Sequence, residues 1–126
     1  MRTCSASDLS ALADAARYAG RADLAEQSLQ GLRSRFGGQI EGRAAAFLLG
    51  RLRESQGNAS DAIRWYRTYS SQTPNGHYAA EALAGEMRMT RQAQGRAAAE
   101  PLAREYLRRY PNGVHAGTAR SLAGSP

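Results

Sequence analysis

Two histidines, one cysteine and a few carboxylates are the side chains with which this sequence could do chemistry. His77 and His115 lie 38 residues apart, each just after a Pro-Asn-Gly turn, so we expect similar places in successive structural units. A metal ion would need further ligands beside them, and Cys4 lies far away along the chain. Nucleophilic catalysis would need a Gly-x-Ser-x-Gly turn, which is absent, and an acid that orients the histidine, which we do not expect. We therefore predict no metal, no cofactor and no enzymatic activity.

A basic and aromatic stretch is the second candidate for chemistry. Arg64–Tyr66 and Tyr69 combine a cation with three aromatic rings, and such a combination can stack on nucleic-acid bases. However, Trp65 and Tyr69 are matched 37 residues later by Leu102 and Tyr106, as core positions of a repeat would be. We favour packing in the core and keep base stacking as the alternative.

The net charge of +6 and the pI of about 10.2 raise nucleic acid as a partner. All of the positive charge comes from arginine, since the sequence has no lysine. Many arginines lie three or four residues from a carboxylate, a spacing at which opposite charges meet on a helix surface. These pairs are Asp14–Arg17, Asp61–Arg64, Glu100–Arg104 and Glu105–Arg109. The pattern favours a solvated, ion-paired face over a nucleic-acid-binding surface.

Membrane insertion and a disulfide are not expected. No run of about 18 apolar residues occurs, and no signal peptide is recognisable. Cys4 is the only cysteine, so the chain cannot form an internal disulfide, and this count does not determine the compartment. The chain begins and ends on helix-like patterns, and we expect it to be a piece of a longer protein.

The chain repeats itself at a shift of 37 residues. Between 62–82 and 99–119, eight of 21 positions are identical, where average residue usage predicts about one match. The matches are Ala62, Arg67, Tyr69, Pro74, Asn75, Gly76, Ala79 and Ala82 with Ala99, Arg104, Tyr106, Pro111, Asn112, Gly113, Ala116 and Ala119. Ala25 and Phe36 extend the alignment into the first unit.

Each unit is predicted to be a pair of helices. Gly20, Gly57 and Gly95 each end one apolar helical pattern and precede another, as a left-handed C-terminal cap would. Asn58 or Ser60 is expected to cap the helix after Gly57. The second helices end at Pro74–Gly76 or Pro111–Gly113, or at Gly37–Gly38 in the first unit, where we expect glycine to supply positive φ. The predicted helices are 7–19, 22–35, 41–56, 59–72, 78–94, 97–109 and 114–122.

The expected fold is therefore all-α, an α-α superhelix of about three helical hairpins with a C-terminal capping helix, in one domain over 1–126. The units are 7–38, 41–76 and 78–113, and 114–122 is the terminal helix. Ala25, Ala62 and Ala99 should lie where the helices of a hairpin approach closely. Such units stack because none can bury its apolar face alone.

The residues of the second unit resemble a tetratricopeptide repeat. Ala46, Leu49 and Gly50, followed by Gly57, Ala62, Tyr66, Tyr69 and Pro74, are similar to that family's order of small, aromatic and proline positions. The segment Tyr106–Ala116 is similar to a junction common in bacterial envelope repeat proteins. These include the Tol-Pal-associated coordinator, the lipoprotein of outer-membrane barrel assembly, and repeat tails of anti-sigma and FecR-type regulators. The sequence departs from the family pattern at four positions: Arg53 and Arg91 stand where the family usually has an aromatic residue, and Arg88 and Thr90 stand where apolar residues are expected.

The resemblance implies a protein–protein interaction scaffold whose concave groove is lined by the first helix of each hairpin. Its candidates here are Arg17, Tyr18, Phe47, Arg51, Glu54, Met89 and Gln92. Exposed Phe47 and Met89 flanked by Arg51 would suit a peptide that carries acidic residues, and packing of both side chains between hairpins is the alternative. The resemblance favours the periplasm or cell envelope, with the cytoplasm as the alternative. A basic nucleic-acid-binding or transcription-regulatory module is the second candidate function, and self-association is compatible with either.

Overall fold

A computed structural model describes residues 4–124, so residues 1–3 and 125–126 of the predicted domain lie outside the described part of the chain. This part consists of α-helices and turns and has no strand. The helices are α1 (Ala6–Tyr18), α2 (Ala22–Phe36), α3 (Ile40–Ser55), α4 (Ala59–Gln72), α5 (Ala79–Gln94), α6 (Arg96–Arg109) and α7 (Ala116–Leu122). The all-α prediction is confirmed, and each helix begins and ends within two residues of its predicted bounds.

Successive helices pack against each other along the whole chain, which makes the molecule a stack of three hairpins followed by α7. Because three residues or fewer connect the helices of a hairpin, these helices run antiparallel. The first helices of neighbouring hairpins also pack closely, α1 with α3 and α3 with α5, whereas the backbones of α2, α4 and α6 stay apart in the described residues. Only a long side chain bridges α2 and α4 there: Arg33 donates to Gln72 Oε1 (2.9 Å) and lies over the Trp65 ring. The stack therefore has an inner side formed by first helices and an outer side formed by second helices.

The first two hairpin turns have the glycine geometry that the sequence predicts. Gly20 and Gly57 have φ of 73° and 76°. The backbone N–H of Gly57 donates to the carbonyl of Glu54 (3.1 Å), and that of Asn58 donates to Arg53 (2.9 Å). Two bonds of this kind satisfy the last carbonyls of a helix only if the residue after the cap is left-handed, which glycine allows without strain. The same turn recurs at the end of α1.

The third hairpin has a tighter turn. Gly95 alone separates α5 from α6, with φ of 97° and ψ of 173°. All three hairpin turns therefore lie at the predicted glycines, in two different geometries.

Of the two residues expected to cap α4, Asn58 is the one that does so: its side-chain oxygen accepts a hydrogen bond from the backbone N–H of Asp61 (3.2 Å).

The turns between hairpins use glycine for a different reason from the predicted one. Gly76 and Gly113 do not have positive φ, and neither do Gly37 and Gly38, so that prediction is wrong. A Cβ atom on Gly76 would lie 2.4 Å from the Tyr69 hydroxyl, and one on Gly113 would lie 2.3 Å from the Tyr106 hydroxyl. Glycine is needed at both positions because a tyrosine side chain passes directly over the backbone, and at Gly76 the methyl group of Thr73 would also lie 2.3 Å from the added atom.

The buried interior joins the hairpins through small residues and aromatic rings. Ala25, Ala62 and Ala99 are buried at the predicted close approaches. The Tyr66 ring lies between two helices, close to Gly50 of α3 and Gly85 of α5, where added Cβ atoms would come within 2.7 Å and 2.6 Å of it. Since Tyr66 is fully buried, its ring fills space that these two glycines leave open.

Arg53, one of the departures from the family pattern, links three helices of the first two hairpins, α2, α3 and α4, through its ion pairs. Its guanidinium on α3 donates to both Glu26 oxygens on α2 (2.8 and 2.9 Å) and to Asp61 on α4 (2.7 Å). The Arg53 side chain is only 16% exposed. Hydrogen bonds from Arg53 lower the pKa of Glu26, and at Asp61 burial raises the pKa but bonds from Arg64 and Arg53 outweigh it. An arginine thus stabilises a contact where an aromatic residue was expected.

Candidate functional site

The inner side of the stack carries two clefts. The polar cleft, of about 480 Å³, is formed by α3, α5 and the start of α7. Its lining residues are Phe47, Arg51, Glu54, Ser55, Tyr66, Glu81, Arg88 and His115. The apolar cleft, of about 430 Å³, lies between α1, the first turn of α3 and the turn before α5. It is lined by Ser10, Ile40, Glu41, Arg43, Ala44, Tyr69, Thr73, Gly76, His77 and Tyr78.

A pair of stacked rings connects the two clefts. Phe47 lines the polar cleft and Tyr78 lines the apolar cleft, and their rings are 4.4 Å apart and within 9° of parallel. Phe47 also contacts the rings of Tyr66 and Tyr69, at 5.8 Å and 5.9 Å between centroids. These rings hold the wall between the clefts in one conformation, because each of them packs against at least one other.

The floor of the polar cleft is a hydrogen-bonded group of three side chains. Arg88 donates to both oxygens of Glu54 (2.9 Å each), and the Tyr66 hydroxyl donates to Glu54 Oε1 at 2.6 Å. Burial raises the pKa of Glu54, but the bonds from Arg88 and Tyr66 outweigh it and the pKa lies below its ordinary value. Burial and the bond to Glu54 raise the pKa of Tyr66. Glu54 is therefore a carboxylate paired with Arg88 at neutral pH.

His115 forms the opposite side of the polar cleft with an acid that the sequence did not reveal. Its Nε2 lies 3.2 and 3.3 Å from the two oxygens of Glu81 on α5. The expectation that no acid orients a histidine is therefore wrong for His115. His77 is exposed and does not occupy the equivalent place, since His115 corresponds instead to Tyr78, 37 residues earlier. The Ser55 hydroxyl, in the same cleft, donates to the Leu52 carbonyl (2.7 Å).

Two arginines on α3 form no ion pair with a carboxylate among the described residues, although the charge of Arg51 contributes to lowering the pKa of Glu54. Arg51 lines the polar cleft, with its guanidinium 5.8 Å from the Phe47 ring centroid, and Arg43 lines the apolar cleft. In contrast, eight arginines elsewhere in residues 4–124 form ion pairs with Asp or Glu. Arg43 and Arg51 are both exposed. They leave positive charge along α3 that is available to a ligand.

Neither comparison with known proteins identifies a family. No protein-family model matches the chain, and no curated protein matches it.

Three of the seven predicted groove residues, Phe47, Arg51 and Glu54, line the polar cleft together. The prediction that Phe47 and Met89 are exposed apolar anchors is wrong, because they are only 1% and 5% exposed and belong to the core between hairpins. Phe47 contributes only to the wall of the cleft. The Phe47 ring meets Tyr66 and Tyr69 of α4 and Tyr78 at the start of α5.

The other predicted groove residues lie away from both clefts. Arg17 pairs with Asp14 near the end of α1, at 3.4 Å. Tyr18 is 98% exposed and Gln92 is exposed, and neither lines a described cleft. The sequence did not predict a groove position for Tyr66, Glu81, Arg88 and His115, although all four line the polar cleft. The one sequence feature that pointed to this cleft was Arg88, an arginine at a position where an apolar residue was expected.

The aromatic residues of the basic and aromatic stretch lie in the core, as predicted, and not on a base-stacking surface. Trp65, Tyr66 and Tyr69 are all buried. Arg33 and Arg64 cover the Trp65 ring, at 5.6 and 4.7 Å from its centroid. The rings therefore have no exposed face on which a base could stack.

The surface arginines mostly follow the predicted pairing. Asp14–Arg17, Asp61–Arg64 and Glu100–Arg104 form as predicted, but Glu105 pairs with Arg108 (2.6 Å). Arg109 instead donates to the Pro74 carbonyl (2.7 Å). Among residues 4–124, no three His, Cys, Asp or Glu side chains group where they could hold a metal ion. None of the helices described is both long and apolar enough to cross a membrane.

Proposed function

We propose that this chain is a tetratricopeptide-like interaction domain that binds a peptide or an extended protein segment along its inner side. The observation that carries the proposal is the pair of adjoining clefts that meet at the Phe47–Tyr78 stack. One cleft offers apolar surface and the other offers charge. Side chains of one bound segment can occupy both, as peptides that bind grooves use apolar anchors flanked by polar contacts.

The groups in the polar cleft support binding rather than catalysis. Glu54 is held by Arg88 and Tyr66, and Glu81 lies against His115, so the acids of the cleft already have partners. Arg51 stands at the cleft without a carboxylate partner among the described residues. The cleft can therefore accept an anionic group, and we propose an acidic partner without chemical conversion of it.

The resemblance of Tyr106–Ala116 to the junctions of envelope repeat proteins supports a setting in a bacterial cell-envelope or regulatory system. The chain contains this junction twice, since the turn at Thr73–Tyr78 has nearly the same backbone: the cap residues Tyr78 and His115 have φ of −101° and ψ of 14° and 12°. Nucleic acid is the less supported alternative, since most acidic residues neutralise arginines on the surface and the aromatic stretch is buried.

The test is selection of a random peptide library against the folded chain, followed by fluorescence anisotropy with the selected peptides. We expect saturable binding that Arg51→Glu weakens by about tenfold or more, since it replaces an attraction by a repulsion. Arg120→Glu is the matched control, because Arg120 on α7 is also exposed and lacks a carboxylate partner among the described residues.

Three substitutions locate the binding surface. Ile40→Glu places a charge at the rim of the apolar cleft, where Ile40 is 78% exposed, and should also weaken binding. Arg104→Glu on the outer side should not. Binding that survives Arg51→Glu and Ile40→Glu but is lost with Arg104→Glu would place the ligand on the outer side and refute the proposal.

A further inference from the structure

Arg43, Phe47 and Arg51 follow one another at intervals of four residues along α3, which places them on one ridge of the helix. Arg43 lines the apolar cleft, Arg51 lines the polar cleft, and the Phe47–Tyr78 stack lies between them. The two guanidinium groups therefore flank an aromatic centre, and neither has a carboxylate partner in the part of the chain that the structure describes.

The spacing of the two arginines matches an extended peptide. Eight residues of α-helix span about 12 Å. In an extended chain, residues i and i+4 are about 13 Å apart, and residues i, i+2 and i+4 point to the same side. A strand-like segment lying along α3 can therefore present two side chains to the arginines and a third to the surface between them.

We propose that the ligand is an extended acidic segment of the form acidic–x–aromatic–x–acidic, which rests on the peptide-binding function proposed above. One carboxylate pairs with Arg43 and the other pairs with Arg51. The central aromatic side chain packs on Tyr78 and Ala44 in the apolar cleft, beside the exposed Ile40. The carboxylates neutralise the two arginines of α3 that the protein itself leaves unpaired, and the ring covers half-buried Tyr78.

The probe is a fluorophore-labelled peptide with the core Glu-Ala-Phe-Ala-Glu, compared with its isomer Glu-Glu-Phe-Ala-Ala. The two have the same composition and charge, so only the spacing of the acidic residues differs. We expect the first to bind at least about fivefold more tightly, the effect of one well-placed ion pair. Of Arg43→Gln and Arg51→Gln, the variant that removes the arginine facing the fifth peptide residue should abolish the preference. The other variant should weaken both peptides and keep the preference, because both carry glutamate at the first position, and Arg120→Gln should change neither affinity.

Single replacements of either peptide glutamate by glutamine assign each carboxylate to one arginine. The effect of one replacement should vanish in Arg43→Gln and that of the other in Arg51→Gln. All three protein variants change exposed side chains without ion pairs among the described residues, so their melting temperatures should equal that of the wild type. Ile40→Ser should weaken both peptides, because it removes apolar surface beside the aromatic side chain.

Equal affinity for the two isomers would overturn the proposed spacing. If library-selected peptides bind through Arg51 and Ile40 but the Glu-Ala-Phe-Ala-Glu probe does not bind, the ligand proposal fails and the peptide-binding function stands. If neither kind of peptide binds saturably, both fail. A single-stranded oligonucleotide that displaces the probe, and that loses affinity in Arg43→Gln and Arg51→Gln, would assign the ridge to phosphate and overturn the proposal.

Discussion

The Tyr106 hydroxyl accepts a hydrogen bond from the backbone N–H of His115, at 3.1 Å, and so fixes the start of α7 to the side of α6. The same bond joins Tyr69 to the N–H of Tyr78, 37 residues earlier, at 3.0 Å. In both places the tyrosine comes from the second helix of a hairpin, and the N–H belongs to the N-cap residue of the helix that follows, α5 or α7. The repeat in the sequence is thus a repeat of one inter-hairpin joint.

Gly113→Ala should destabilise this joint by about 1–3 kcal/mol, because the new Cβ would lie 2.3 Å from the Tyr106 hydroxyl. Tyr106→Phe alone should cost about 1 kcal/mol through the lost hydrogen bond. The double variant should be more stable than the sum of the two losses predicts, since removing the hydroxyl also removes the closest clash. Denaturant melts of the wild type, the two single variants and the double variant measure the coupling energy between the two substitutions. Gly38→Ala is the control, because a Cβ there meets nothing within 4 Å, and additive losses in the cycle would contradict the proposed clash.

Gly85→Ala and Gly50→Ala should each destabilise the fold by about 1–3 kcal/mol. Each new methyl group would press on the buried Tyr66 ring from one of its two sides, at 2.6 or 2.7 Å. Gly117→Ala on α7 is a matched helical control with open space around it, and it should be neutral or stabilising by up to about 1 kcal/mol. Thermal melts compare the three, and an unchanged midpoint for Gly85→Ala would show that α4 and α5 are further apart than the structure has them.

Arg53→Met should cost about 1–3 kcal/mol at neutral pH, because Glu26 loses its partner and Asp61 keeps only Arg64. Folding lowers the pKa of both carboxyl groups, so their contribution is present above their unfolded values of about 4 and is lost as the pH falls through the lower folded values. The stability gap between wild type and variant should therefore narrow in acid. Urea melts across this range measure it. Arg104→Met, which breaks an exposed pair, should stay within about 0.5 kcal/mol, and a gap that widens in acid would refute the network's role.

Ala62→Leu and Ala99→Leu should each destabilise by about 1–3 kcal/mol, since both alanines are fully buried where the helices of a hairpin meet. Arg108→Ala, which removes an exposed ion pair on α6, should change stability by no more than about 0.5 kcal/mol. The midpoints of denaturant unfolding compare the three. A wild-type midpoint for Ala62→Leu would mean that the second hairpin is packed differently from the structure.

The groove was only partly predictable from the sequence. Arg51 and Glu54 were placed correctly because residues three apart on one helix share a face. The exposure of Phe47 and Met89 was predicted wrongly, because the same face of α3 and α5 also packs against neighbouring helices. The periodicity of a helix does not show where such a contact ends. Arg88 lies 34 residues from Glu54, and no local pattern pairs two residues so far apart.

The sequence by itself determined the seven helices, the turns at Gly20, Gly57 and Gly95 and the 37-residue repeat. The periodicity of the apolar residues, the conformational freedom of glycine and the restrictions of proline are local properties, so they act without tertiary contacts. Only the tertiary structure decided that Gly76 and Gly113 are glycines for lack of space, that Arg53 joins two hairpins, and that Tyr78 stacks on Phe47 between two clefts. The Arg53 ion pairs and the Phe47–Tyr78 stack depend on side chains from different elements, whose distances are set by the packing of the stack. The crowding at Gly76 and Gly113 comes from Tyr69 and Tyr106 only seven residues earlier, but it needs the folded turn that brings the hydroxyl over the backbone.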